Sequence, residues 1–230
     1  QPARRRRLGV PLMGVQPITP PLEAGPLIAE AERRAGLSDF GDTWFFKPMK
    51  VMLAATHAEA RLSETGKGYE AERIVNYLVN RLWLVDATKE HPEILDERVK
   101  VTAAILGLSR SGIMMTHRML CSVPSIKGLR WWEAQFPCPF PGEARGEPVE
   151  RRRRAQALFD MWMREMPDMM SIHPMGLDQP EEEALLTDQV FMGTAVECFQ
   201  WVPSFARWLE TADQRQAYLD MEWSLKYLQW

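Results

Sequence analysis

The stretch AAILGLSRSGIMMTHRML, which runs from Ala103 to Leu120, decides what fold the sequence predicts. The run that enters it, VKVTAAILG, is short, apolar and rich in β-branched residues, as is typical of a strand buried in a parallel sheet. We expect this strand at about Val101–Leu106, a turn at Gly107–Gly112 and a helix from about Ser111. A helix that starts after such a turn points its dipole and free backbone N–H groups at the turn, which predicts an anion site.

The turn departs from the loop of nucleotide triphosphatases. Gly107 and Gly112 have the glycine spacing of that loop, which must continue with a Lys and with a Ser or Thr that binds magnesium. Here Ile113 and Met114 follow instead, so a magnesium-dependent kinase or NTPase is disfavoured. Arg110 adds a cation that can fork onto phosphate or sulfate oxygens, although a surface arginine is the alternative. From the residues alone, a phosphate site and an ordinary strand–helix turn both stay open.

The composition limits the class of protein. With 46% hydrophobic residues, 26% charged residues and a net charge of −3, the 230-residue chain reads as globular, with no general affinity for nucleic acid or anionic membranes. No apolar stretch approaches the roughly 20 residues that span a bilayer. The three cysteines have neither metal nor redox spacing, so we expect a cytoplasmic protein without a metal site.

The chain divides into two parts by composition. Residues 1–21 are rich in Arg and Pro and are predicted to be extended or disordered. Residues 22–230 form one domain, with a helical region at 22–100, the strand–loop–helix element at 101–122, and loops and helices at 123–230. One confident strand cannot make a sheet, and the final helix stops at Trp230 without a cap. We therefore interpret the sequence as a fragment cut at both ends.

An ordered series of motifs resembles the bacterial sulfotransferase family that uses 3′-phosphoadenosine 5′-phosphosulfate (PAPS). The loop ILGLSRSG, the following HRML and the segment WWEAQFPCPFPGE carry the resemblance, which covers roughly residues 25–230. It is extended by LSDFGD, NRL and HPEI before the loop, and by IHP, PEEEALL, VPSFARWL and the final LQW after it. The family loop commonly reads G-L-P-R-[TS]-G-T-T, so Ile113 and Met114 replace its two threonines and Ser109 replaces its proline.

The resemblance implies an α/β fold with a P-loop-like parallel sheet, of which this chain would hold only a part. It implies an enzyme that moves a sulfuryl group from PAPS to a hydroxyl or amine of a small-molecule or lipid-like acceptor, without a metal. It maps Arg110, Ser111 and Gly112 onto the 5′-phosphosulfate loop, where Ile113 and Met114 would offer only their N–H groups. The later strand with Lys-Ser-Pro and the residues that hold the 3′-phosphate in the family do not occur in this sequence.

Sulfuryl transfer needs a base at the acceptor and positive charge at the bridging oxygen. Position after the loop helix makes Glu133 the candidate base, with pairing to Arg130 as the alternative, and Arg110 the catalytic cation. Trp131, Trp132 and His173 are the candidates for the acceptor pocket, where ordinary core or loop positions are the alternative. His117 is interpreted as structural, and Glu181, Glu182 and Glu183 as a helix N-terminus.

Two other functions stay open from the sequence. A non-catalytic binding protein or pseudoenzyme of the same fold would explain the loss of both threonines from the loop. A helical interaction module without nucleotide affinity would explain the high helix content. The sequence does not indicate an oligomeric state.

Overall fold

The computed structural model describes residues 20–108, 111–144 and 146–230, and it is helical. Its helices are α1 (Ala24–Ala35), α2 (Phe46–Ala55), α3 (Glu64–Glu90), α4 (Ile113–Cys121), α5 (Trp131–Gln135), α6 (Val149–Glu165), α7 (Met169–Ile172), α8 (Ala184–Asp188), α9 (Val196–Phe199), α10 (Pro203–Thr211) and α11 (Arg215–Gln229). A π-helical turn at Thr56–Ala60 and a 3₁₀ turn at Pro92–Asp96 complete the set. In these ranges none of the helices is both long and apolar enough to cross a membrane.

The predicted strand at Val101–Leu106, and with it the P-loop-like parallel sheet, is wrong for the part of the chain that the structure describes. Residues 101–108 have no regular structure there, and Leu106 and Leu108 are 92% and 84% exposed. The only β-type pairing among the described residues is one isolated antiparallel bridge between Arg130 and Pro180. A β-branched apolar run becomes a strand only where a neighbouring strand and a packed face support it, and the described residues provide neither.

Helix α3 forms the centre of the core. Nine consecutive residues, 77–85, are buried, so the helix is covered on all sides rather than along one stripe. Among the described helices, α1 packs most extensively against α3. Helix α1 ends where Gly36 takes the left-handed conformation at φ 68°. The buried amide of Asn80 in α3 donates to Gln135 O at 3.0 Å and to Gln189 Oε1 at 3.1 Å. These bonds fix the end of α5 and the residue after α8 against the core.

Helix α11 is bound to the amino-terminal half of the domain by Asp220. Its Oδ2 accepts from Arg81 Nη1 at 2.8 Å and from Trp44 Nε1 at 3.0 Å. Arg81 also donates to the carbonyls of Phe40 and Asp42, so each of its three guanidinium nitrogens has an acceptor. The carboxylate therefore joins the loop before α2, the centre of α3 and α11.

The π-helical turn after α2 positions the start of α10. It ends at Arg61, which has a left-handed φ of 49°. Glu59 in this turn accepts from Ser204 N at 3.0 Å, which satisfies one of the free N–H groups at the start of α10. Because Pro203 opens α10, its first residue has no N–H to satisfy.

Candidate functional site

The glycine turn before α4 folds back closely on the helix that it opens. A Cβ atom at Gly107 would lie 2.6 Å from Ile113 Cγ2 and 2.9 Å from Ser111 Oγ, so a side chain at residue 107 would force these neighbours to shift. Gly112 is the N-cap of α4 and has a φ of 89°, a conformation that side chains rarely adopt. Ser111 closes the turn through its N–H and its hydroxyl, which both donate to Leu108 O. The predicted helix after the turn is confirmed, although it begins at Ile113 rather than at Ser111, while residues 109 and 110 of the predicted turn lie outside the described residues.

The first backbone N–H groups of α4 are open. Thr116 N donates to Gly112 O at 3.1 Å, which is the first bond of the helix. No acceptor for the N–H groups of Ile113, Met114 and Met115 exists among the described residues. Three free donors at the positive end of a nine-residue helix favour a bound anion.

Glu181 ties α4 to the loop that follows α7. Its carboxylate accepts from Arg118 Nη2 on α4 at 3.3 Å and pairs with His173 Nε2 at 3.1 Å. Arg118 Nη2 also donates to Pro174 O at 2.6 Å. Glu181 is only 5% exposed and lies between these two basic groups. Its hydrogen bond raises the pKa of His173 above the ordinary value.

Two nitrogen atoms on α4 lie buried beside this cluster without a partner in the described ranges. They are Nδ1 of His117 and Nε of Arg118. Buried polar atoms are nearly always hydrogen-bonded, so unpaired ones are concentrated where a ligand or a catalytic group acts. The carboxyl-terminal end of α4 is fixed by a close approach at Gly128, where a Cβ atom would lie 2.6 Å from Cys121 Sγ and 2.9 Å from Pro180 Cβ.

The structure gives Glu133 a structural partner. Its Oε2 accepts from the backbone N–H of Arg130 at 2.9 Å and caps α5, while its side chain lies 3.9 Å from Arg130 Nε. Glu133 as a whole is buried, with 6% of its surface exposed. This is the pairing with Arg130 that the sequence left open, and the role of Glu133 as a base stays a prediction.

The two tryptophans before Glu133 lie in the interior. Trp131 is 1% exposed and contacts the rings of Phe159 and Trp162 edge to face. Trp132 is 4% exposed, donates from Nε1 to Asp178 Oδ1 at 3.2 Å, and lies under the guanidinium groups of Arg130, Arg151 and Arg152. Their roles in acceptor binding stay predictions. His173 is half-buried and lies next to α4, which leaves it accessible to an acceptor.

Some of the residues predicted from the sequence lie outside the part of the chain that the structure describes. Arg110, with Ser109, lies outside the described residues, as does most of the amino-terminal segment predicted to be extended. Ser111, Gly112, Ile113 and Met114 are described and come together at the start of α4. In the described ranges no group of three or more His, Cys, Asp or Glu side chains is arranged to hold a metal ion.

Sequence reasoning missed the importance of Glu181 and Arg118. The pattern PEEEALL indicated the start of a helix, but α8 begins only at Ala184, and Glu181 is buried before it. Glu181 N donates to Leu129 O at 2.8 Å as part of the pairing around the Arg130–Pro180 bridge. The partners of Glu181 lie 8 and 63 residues away, so only the three-dimensional fold brings them together.

One protein-family model matches the part of the chain that contains α4 and Glu181. The model of the "Sulfotransferase family" matches residues 103–227, which is more than half of the chain and includes the glycine turn and α4. This match shows that the chain belongs to the sulfotransferase family. No curated protein matches it.

Two solved structures are similar to this chain. Sulfotransferase STF1 from Mycobacterium tuberculosis has a TM-score of 0.76 and 30% identity, over 90% of this chain and 57% of that one. Sulfotransferase STF9 from Mycobacterium avium has a TM-score of 0.72 and 24% identity, over 90% of this chain and 54% of that one, and shows likeness of fold alone. This chain thus spans a little over half the length of either structure.

Proposed function

We propose that this chain supplies the donor loop and the acceptor base of an enzyme that transfers a sulfuryl group from PAPS to a hydroxyl or amine. The acceptor is a small or lipid-like molecule. The three free cysteines favour the cytoplasm as the compartment of the enzyme. The observation that carries the proposal is the position of Glu181, which joins His173 to the helix that the donor loop opens. Membership of the sulfotransferase family supports it.

The turn and the start of α4 fit the phosphosulfate end of the donor. A side chain at Gly107 would crowd Ile113 and Ser111, and the N–H groups of Ile113 and Met114, which have no acceptor among the described residues, can bind an anion. Arg110, Ser111, Gly112, Ile113 and Met114 would hold this end, with Arg110 as the catalytic cation. When bound, the donor supplies the sulfuryl group. Ile113 and Met114 contribute no hydroxyl, so we expect binding to be weak.

His173 is better placed than Glu133 to remove the acceptor proton. Glu133 already caps α5 through Arg130 N. Nε2 of His173 is hydrogen-bonded to Glu181, so Nδ1 is the nitrogen that can accept a proton. As the acceptor oxygen bonds to sulfur, its proton passes to Nδ1 and the bond from sulfur to the phosphate oxygen breaks. Glu181 then stabilises the imidazolium, which is the role of the acid in a carboxylate–histidine pair.

Titration with 3′,5′-bisphosphoadenosine tests the donor site. Ile113→Thr and Met114→Thr should each tighten binding about tenfold, because a hydrogen bond to a charged oxygen contributes roughly 1.5–3 kcal/mol. Met119→Thr, which lies more than one turn beyond the helix start and is 64% exposed, is the control and should change nothing. Equal effects at positions 113, 114 and 119 would place the anion site elsewhere.

Transfer of labelled sulfate to a panel of alcohols and amines tests the reaction. His173→Gln and Glu181→Gln should abolish any transfer without weakening 3′,5′-bisphosphoadenosine binding, whereas Glu133→Gln should lower stability instead. A loss of transfer with Glu133→Gln in a folded protein, and none with His173→Gln, would return the role of base to Glu133.

The missing loop hydroxyls favour a second candidate, a binding protein of the same family that does not turn over. Donor binding without transfer, even after threonine is restored at positions 113 and 114, would establish that function. Absence of both binding and transfer would overturn both candidates.

A further inference from the structure

Arg118 connects the helix that the donor turn opens with the loop that carries His173. It lies on α4, and its Nη2 donates to Pro174 O at 2.6 Å and to Glu181 Oε1 at 3.3 Å. Both acceptors are neighbours of His173, because Pro174 follows it in the chain and Glu181 is hydrogen-bonded to its ring. One guanidinium nitrogen therefore holds both the backbone beside His173 and the carboxylate at its imidazole.

The backbone at His173 is stiff, so a bond to Pro174 O restrains the imidazole as well. The proline ring fixes φ of residue 174 at about −65°, and a following proline keeps His173 out of the helical region. The backbone of His173 has φ −137° and ψ 87° accordingly, and its N–H donates to Met169 O at 2.7 Å. Few free torsions separate Pro174 O from His173, and Arg118 fixes the position of that oxygen.

The orientation of Arg118 does not satisfy all of its own donors. Its side chain is 22% exposed, and its Nε is buried without an acceptor among the residues that the structure describes. A buried N–H group without a partner costs free energy. The guanidinium keeps this orientation nonetheless, and it is the orientation that brings Nη2 to the two acceptors beside His173.

The charge of Arg118 opposes the effect of Glu181 on His173. The hydrogen bond to Glu181 raises the pKa of His173 most, and burial lowers it. Among the charged groups that face the imidazole, Glu181 and Glu182 favour its protonated form, whereas Arg118 disfavours it. A base has to be neutral before it takes a proton, so Arg118 keeps a larger fraction of His173 in the neutral form.

We propose that Arg118 is a positioning residue, which holds Pro174 and Glu181 so that His173 keeps a fixed place relative to the α4 turn. The inference rests on the proposed role of His173 in sulfuryl transfer. Because α4 carries both Arg118 and the open N–H groups of its first turn, one rigid helix sets the place of the donor and of the base. Arg118 acts through His173 and Glu181 and takes no proton itself.

An NMR titration of His173 tests this contact without any need for transfer. Its Cε1–H resonance is one of four histidine signals and is assigned by its loss in His173→Gln. Arg118→Met removes the charge and both hydrogen bonds, so the pKa of His173 should rise. Arg118→Lys keeps the charge, so the pKa should stay near that of the parent. Arg33→Met, which removes a 60% exposed side chain that pairs with Glu30 on α1, is the control and should leave the titration unchanged.

An unchanged pKa of His173 in Arg118→Met, or an equal rise in Arg118→Lys, would overturn the proposal even in a protein that transfers nothing. Should Arg118→Met not fold, Arg118→Gln takes its place, because it keeps a polar group at this half-buried position and also removes the charge.

Kinetics separate positioning from a merely structural role. Arg118→Met should lower kcat for transfer about tenfold to hundredfold, because a small displacement of a catalytic group is costly. Binding of 3′,5′-bisphosphoadenosine should be unchanged, the acid limb of the pH profile should move to higher pH, and Arg118→Lys should recover part of kcat. A lower melting temperature with unchanged kcat and an unchanged pKa of His173 would make Arg118 structural. Full transfer by His173→Gln would overturn the proposed function instead, and is thereby distinguished from a failure at Arg118.

Discussion

Gly107 and Ile113 lie so close that a Cβ atom on residue 107 would come within 2.6 Å of Ile113 Cγ2. Gly107→Ala should therefore displace the start of α4 and weaken 3′,5′-bisphosphoadenosine binding at least tenfold. The free energy of unfolding should change by less than about 1 kcal/mol, because the segment around residue 107 is exposed. Calorimetric titration and thermal unfolding measure the two quantities.

Gly25→Ala is the matched control for that substitution. Gly25 lies in α1, where a Cβ atom would have nothing within 4 Å. Alanine should there stabilise the protein by about 0.5–1 kcal/mol and leave ligand binding unchanged. If Gly107→Ala behaved in the same way, the turn would not be as tightly closed as the structure shows.

The pairing of His173 with Glu181 predicts a pH-dependent stability. The folded-state pKa of His173 is raised by its hydrogen bond to the Glu181 carboxylate. Its contribution to stability is therefore fully present below the unfolded value of about 6.5 and is lost as the pH rises through the folded value. His173→Gln should lower the melting temperature at pH 5.5 and have little effect at pH 8.5. An equal loss at both pH values would show that charge on His173 is not involved.

The Arg81–Asp220 pair should be costly to break. Burial lowers the pKa of Arg81 and raises that of Asp220, which shows that desolvation opposes both charges. Asp220→Ala would leave the Arg81 guanidinium buried without its carboxylate, and we expect a loss of about 3–5 kcal/mol in the free energy of unfolding. Urea denaturation measures it. Lys67→Ala breaks the exposed pair with Glu64 and should have no measurable effect; comparable losses in the two variants would contradict the argument.

The apolar segment before the turn should promote association of the protein. Leu106 and Leu108 are exposed, and so are Val101, Met115 and Met119 nearby along the chain. Changing Leu106 and Leu108 together to serine should reduce light scattering at high protein concentration without a change in melting temperature. Leu219→Ser, which changes one exposed leucine of α11, is the control. Equal scattering by the double variant and the parent would show that this segment does not drive association.

The sequence predicted the helices best where local chemistry decides them. Gly36 after a run of helix formers predicted the end of α1, and its left-handed φ of 68° confirms it. The spacing of Ile74, Leu78 and Leu82 predicted α3, and all three are buried. In both cases a few neighbouring residues carry the whole signal, as a cap or as an apolar face.

The predicted strand failed because its support is not local. Residues 101–106 have the composition of a buried strand, yet nothing among the described residues pairs with them. The glycine turn after them was predicted correctly, since it depends on Gly107 and Gly112 themselves. Glu181 could not be predicted for the same reason as the strand: its burial depends on Arg118, on His173 and on a bridge formed 51 positions earlier in the chain at Arg130.

The attachment of α11 sets an order in which the domain can assemble during synthesis. Asp220 is 139 residues from Arg81 and 176 residues from Trp44, and Trp223 reaches back 135 residues to Thr88. Contacts between residues so far apart in the sequence form slowly and late in folding. Until the ribosome has made α11, the Arg81 guanidinium has no carboxylate partner from that helix. The nascent chain therefore presents its central helix incompletely covered until α11 has emerged, a state that chaperones bind.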